Sequence, residues 1–138
     1  MIALIFQNAI IKQNILRVMM KLINKKILVV EDEEIARDVL AMILRKHFTD
    51  VIVAKDGKQG LAYVQENQPD LIVADLAMPV LDGFVMIDQL EQMASEIPVV
   101  IVTAYREEAA KFSKYPVLFK PVNRGVVIDK IKDVLGVS

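Results

Sequence analysis

Five short apolar runs recur along this chain, each followed by a stretch whose apolar residues fall at helical spacing, and that alternation constrains the fold more than any other feature. The runs are "ILVV" (27–30), "VIVA" (51–54), "LIVA" (71–74), "VVIV" (99–102) and "VLF" (117–119). All are β-branched or otherwise apolar and nearly free of polar residues, as strands covered on both faces must be. Between them, Ile35, Val39, Leu40, Ile43 and Leu44 form a stripe in 33–47. Leu61 and Val64 mark a helix in 57–67, and Val85, Met86, Leu90 and Met93 mark another in 83–94. Residues 105–113 leave room for a short fourth helix, and Asn123 is placed to cap a fifth carrying Val126, Val127, Ile131 and Leu135. Strand then helix, five times over, predicts an α/β fold with a doubly wound, five-stranded parallel sheet of (βα)5 type.

At 138 residues and 54% hydrophobic, the chain suits one domain with a sizeable core. Seventeen basic residues against eighteen acidic ones leave a net charge of −1, so no global field favours nucleic acid, and no nucleic-acid partner is expected. The absence of cysteine excludes disulfides, thiol catalysis and a thiolate zinc site. It fits a reducing compartment, and a cytoplasmic location is expected.

The opening "MIALIFQNAIIKQNILRVMMKLINKK" stands apart, with Lys12, Arg17, Lys21, Lys25 and Lys26 and no acid. Polar residues interrupt it too often for a spanning helix of about 20 apolar residues. It also lacks the leading charge and small-residue cleavage site of a secretory signal. Residues 1–25 therefore read as a basic, apolar extension and 26–138 as the domain. Three readings of the extension stay open: an amphipathic helix on a membrane surface, a helix packed on a partner or a second copy, or residues upstream of a true start at Met19 or Met20. Nothing resembles an interdomain linker, and no second domain is expected after the fifth helix.

In an open parallel sheet, sites lie outside the carboxyl ends of the strands where strand order switches. Each of four strands here runs into a polar group at that end: Glu31 and Asp32 after the first, Asp75 after the third, Thr103 after the fourth and Lys120 after the fifth. With the strand order 2-1-3-4-5, the three acids crowd together. Each pair of charges would repel by about 4 kcal/mol at about 4 Å and an effective dielectric near 20, and three such pairs approach the stability of a whole domain. A divalent cation relieves this, and an all-oxygen set suits Mg²⁺ better than metals that seek imidazole or thiolate. Carboxylates at a metal beside a hydroxyl and an ammonium group are suited to phosphoryl transfer, with Asp75 as nucleophile.

In that order and at those spacings, "ILVVEDEE", "DLIVADLAMPVLDG", "PVVIVTAY" and "FKP" resemble the receiver domain of bacterial two-component response regulators, over roughly residues 26–138. The resemblance implies the flavodoxin-like (CheY-like) form of the fold and a phosphoryl group passed to Asp75 from a phosphohistidine of a sensor histidine kinase or histidine phosphotransfer protein. It further implies Mg²⁺ held by Asp32, Asp75 and the backbone carbonyl of Ala77, with Glu31 acting mainly through water. Thr103 and Lys120 would contact the phosphoryl group, and the Lys120–Pro121 bond would be cis. The chain would signal as a stand-alone switch to a downstream protein, with no enzymatic turnover beyond its own phosphorylation and dephosphorylation.

The sequence also departs from the pattern. Sixteen residues separate Thr103 from Lys120, several fewer than usual, so the fourth helix or its loop is shortened. Val117 stands where an aromatic switch residue is customary, with Tyr115 and Phe119 nearby, and Ala77 and Tyr105 occupy the positions that tune phosphoryl lifetime. A receiver-like adaptor that works without phosphorylation is one alternative function. An aspartate-nucleophile phosphatase is another, disfavoured because Leu76 and Ala77, not a second acid, follow Asp75. "EDEE" at 31–34 also suits a helix N-terminus, Asp82 and Gly83 read as a helix start, and His47 as structural at the end of the first domain helix.

Overall fold

The structure is a computed structural model that describes residues 2–75, 83–93, 95–110 and 114–138. Its elements run α1 (Ile2–Lys21), β1 (Ile23–Val30), α2 (Glu34–Arg45), β2 (Phe48–Ala54), α3 (Gly57–Asn67), β3 (Leu71–Ala74), α4 (Gly83–Gln92), β4 (Val99–Thr103), α5 (Arg106–Ala109), β5 (Val117–Phe119) and α6 (Arg124–Leu135). The five strands form one sheet in the order β2-β1-β3-β4-β5. Every neighbouring pair is parallel.

Alternation along each strand divides the core in two. Ile27, Val29, Leu71 and Val73 face the layer of α2 and α6, packing with Leu44 and Ile131. Leu28, Val30, Ile72 and Ala74 face α3 and α4, packing with Val64 and Met86. Both sheet faces are therefore dry, which is why the strand sequences show no polar alternation.

Side chains that cap helices fix where three of them start. Glu33 accepts the Ala36 N–H at 3.1 Å, Asp56 accepts the Gln59 N–H at 2.8 Å, and Asn123 accepts the Gly125 N–H at 2.8 Å. Caps of this kind each contribute about 0.5–2 kcal/mol. α6 ends on Gly136 at φ 68°, the left-handed conformation that glycine adopts without a side-chain clash. Asp82 lies outside the described residues, whereas Gly83 opens α4 as expected.

β1 and β2 both extend upstream of the apolar runs that mark them, β2 starting at Phe48. β1 begins at Ile23, upstream of its apolar run, because Ile23 pairs with Phe48 of β2 across a register shift. α5 is a single turn, Arg106–Ala109, the short helix for which 105–113 leaves room; residues 111–113 lie outside the described residues. Within the basic leader, residues 7–17 of α1 are exposed, including Ile10, Ile11, Ile15 and Leu16. No helix among the described residues is long and apolar enough to cross a membrane.

At the amino ends of the strands, Lys26 joins three elements. Its amide N–H donates to the Asp70 carboxylate at 2.8 Å, and its carbonyl accepts the Asp70 N–H at 2.8 Å. Its Nζ donates to the carbonyl of Asn67, the last residue of α3, at 3.0 Å and lies 3.8 Å from Asp50 on β2.

At Gly60, α3 packs tightly against the sheet and α4, since a Cβ there would lie 3.0 Å from Val30 Cγ2 and 3.1 Å from Met86 Sδ. Removing an interior helical glycine would gain about 1 kcal/mol of propensity, but overpacking of this kind costs about 1–3 kcal/mol. Gly60→Ala is expected to lower the unfolding free energy, by up to about 2 kcal/mol, as read from the urea midpoint.

Candidate functional site

The carboxyl ends of the strands carry polar groups whose positions are set by main-chain bonds just past each strand. The Glu31 N–H donates to the Ala54 carbonyl of β2 at 3.0 Å, and the Asp75 N–H donates to the Val30 carbonyl of β1 at 3.0 Å. The Lys120 N–H donates to the Thr103 carbonyl of β4 at 2.9 Å. The acids and the lysine thus inherit the register of the sheet. The Lys120–Pro121 bond that follows is cis.

Glu31, Asp75 and Thr103 are buried, with Asp32 at their edge. One carboxylate oxygen from each of Glu31, Asp32 and Asp75 falls within 4.8 Å of the others. Lys120 Nζ reaches into this cluster, donating to Glu31 Oε1 at 3.0 Å and to Asp75 Oδ2 at 3.2 Å. The Thr103 hydroxyl oxygen accepts the Tyr105 N–H at 3.1 Å. Glu31, Asp32, Asp75, Thr103 and Lys120 therefore share one rim, as the sequence predicts; Ala77 lies outside the described residues.

Electrostatics in the cluster follow from burial. Desolvation, then the hydrogen bond and charge of Asp75, push the Glu31 carboxyl up to about 7, against the opposing pull of Lys120. Burial pulls the Lys120 ammonium down, but Glu31 and Asp75 outweigh it and leave its pKa above the usual lysine value. An all-oxygen set this close and this short of positive charge matches a hard divalent cation.

Two neighbours escaped the sequence reading. Arg37, on α2, donates from one guanidinium nitrogen to the carbonyls of Glu31 and Asp32. Arg106, on α5, stacks its guanidinium over the Phe119 ring at 4.2 Å. Tyr115 donates its hydroxyl to Glu91 at 2.6 Å, so neither aromatic beside Val117 stands unengaged. Beside the acids, a groove of about 610 Å³ runs along α2 and α6, lined by Ile35, Val39, Ile43 and Val127 together with Glu31, Asp75 and Lys120.

Comparison with known proteins places this geometry. The family model for the response regulator receiver domain matches residues 27–132. The chain belongs to that family. As a receiver it is 34% identical over 118 residues to protein PilH of Pseudomonas aeruginosa, covering 80% of this chain and 98% of that protein. It is 43% identical over 88 residues to the alkaline phosphatase synthesis transcriptional regulatory protein PhoP of Bacillus subtilis, covering 64% of this chain but 37% of PhoP. Among solved structures, the Francisella response regulator 1452 receiver domain superposes with a TM-score of 0.76 at 28% identity, covering 82% of this chain and 98% of that one. Receivers are signalling modules of two-component systems, and the CheY-like, flavodoxin-like fold that the resemblance implies is the fold observed.

The raised Glu31 pKa fixes the sign of a pH effect. Between about 4.5 and about 7 the folded receiver binds more protons at Glu31 than the unfolded chain, so this group's contribution to stability falls as pH rises through that window. Urea unfolding of metal-free protein is expected to show this decline, and Glu31→Gln to flatten it; parallel pH profiles for the two proteins would contradict the assignment.

Proposed function

We propose that Asp75 accepts a phosphoryl group from a phosphohistidine on a sensor histidine kinase or histidine phosphotransfer protein, in a Mg²⁺-dependent reaction. The chain then acts as a stand-alone cytoplasmic switch read by a downstream protein. The observation that carries this reading is the ammonium of Lys120 shared between Glu31 and Asp75 inside a cluster of three acids. The match over nearly the whole of PilH supports the stand-alone form.

Glu31, Asp32 and Asp75 would hold Mg²⁺, with the Ala77 carbonyl as a further ligand, and the bound ion would supply positive charge to the transferring phosphoryl oxygens. An Asp75 carboxylate oxygen attacks phosphorus as the phosphorus–nitrogen bond to the donor breaks, and the bonding pair leaves with the imidazole. Lys120 exchanges its hydrogen bond to Asp75 for one to a phosphoryl oxygen. Thr103, whose oxygen already accepts the Tyr105 N–H, retains its hydroxyl proton to donate to the same group. The added charge draws Thr103 and Lys120 inward and shifts the loops after β3 and β4 between two arrangements.

A protein donor must bring its histidine to Asp75 while its own surface rests on what lies beside it. Ile35, Val39 and Met42, exposed along one stripe of α2, supply an apolar surface there. Ile35→Asp is expected to slow phosphorylation by a phosphohistidine protein at least tenfold while sparing phosphorylation by acetyl phosphate. Equal loss with both donors would remove the stripe from donor docking.

Intact-mass measurement after incubation with acetyl phosphate tests the chemistry. One added phosphoryl group is expected with Mg²⁺, none with a chelator and none in Asp75→Asn. Labelling that persists in Asp75→Asn would displace the acceptor, and folded protein that labels with neither acetyl phosphate nor a phosphohistidine protein would favour the phosphorylation-independent adaptor.

A further inference from the structure

Adjacent side chains on an extended strand point to opposite faces. Glu31 and Asp32 are adjacent, yet both contribute an oxygen to the same cluster within 4.8 Å. The chain must therefore bend between the end of β1 and the start of α2, and residues 32 and 33 do form a bend. Something has to hold it, because carboxylates gathered this closely repel one another and push the loop open.

We infer that Arg37 is the residue that holds the bend, a positioning residue for the metal-facing acids. Its Nη1 lies 3.2 Å from the Glu31 carbonyl oxygen and 3.4 Å from the Asp32 carbonyl oxygen. One nitrogen can reach both carbonyls only while they turn toward the same side, so the two hydrogen bonds select the bent loop. The Arg37 side chain is half-buried on the first turns of α2, an element anchored by the Glu33 cap and by Leu44 in the core. The guanidinium therefore acts from a fixed base. From the other side, the Glu31 N–H is held by the Ala54 carbonyl. The loop is thus clamped between β2 and α2 with its carboxylates directed at Asp75, and the cation offsets part of their repulsion.

This inference rests on the reading of Glu31 and Asp32 as metal-binding acids, and its test separates the two. Partners that orient metal ligands from outside the coordination shell typically change affinity by about 10–100-fold when lost. Titration of the receiver with Mg²⁺, followed by amide chemical shifts, is expected to show at least tenfold weaker binding in Arg37→Ala. In the metal-free variant, the ¹⁵N order parameters of residues 31–33 are expected to fall while those of β3 keep wild-type values. Arg37→Lys keeps the charge without the planar fork and should recover only part of the affinity; it also serves should Arg37→Ala fail to fold. Wild-type affinity together with wild-type order parameters in Arg37→Ala would overturn the inference. So would complete recovery by Arg37→Lys with an equally rigid loop in all three proteins, which would reduce Arg37 to a charge. Should the wild-type protein not bind Mg²⁺, the metal reading falls, and the order parameters alone decide whether Arg37 fixes the loop.

Discussion

One ammonium group stands against two buried carboxylates at the rim of this sheet, and much of the surrounding architecture depends on that contact. Glu31 and Asp75 are 5% and 8% exposed, and charged groups removed from water to that degree each cost several kcal/mol unless paired. Lys120 supplies the pairing through its hydrogen bonds to both. It can do so because β5, at three residues the shortest strand, lies parallel beside β4, with the Lys120 N–H on the Thr103 carbonyl. Edge-strand pairing and charge compensation are consequently coupled, since displacing β5 would withdraw the ammonium from the acids. The raised pKa of Glu31 shows that this compensation is incomplete.

Much of this was legible in the sequence because burial leaves a plain record. β3 and β5 occupy the apolar runs that announced them, and α3 spans the range expected around Leu61 and Val64. The rim residues were legible for a related reason: a polar side chain placed directly after a buried strand has few places to go. What escaped reading acts through the main chain or across the sheet. Arg37 works on two carbonyl oxygens, groups every residue possesses, so no residue type signals it. The Arg106–Phe119 stack depends on how α5 sits against β5, which spacing along the chain does not display. The upstream part of β1 was hidden because Asn24, Lys25 and Lys26 break its apolar pattern while the backbone still pairs with β2.

After β4 the rim meets the surface at a short helix. α5 provides one turn, and its first residue, Arg106, lies over Phe119, the residue immediately before Lys120. Stacking of a guanidinium on an aromatic face contributes about 0.5–1 kcal/mol at an exposed site. That is small against the stability of a domain, yet it links the loop after Thr103 to the strand that carries the ammonium. This pair is an aromatic contact that joins α5 to β5 next to the rim.

The far end of the sheet is built in the opposite way. There the Lys26 N–H donates to the Asp70 carboxylate, the Lys26 carbonyl accepts the Asp70 N–H, and the Lys26 side chain ties β1 to the end of α3 through the Asn67 carbonyl. The two ends of the sheet therefore divide the labour: hydrogen bonds from a single lysine seat β1 at one end, while buried charge is concentrated at the other.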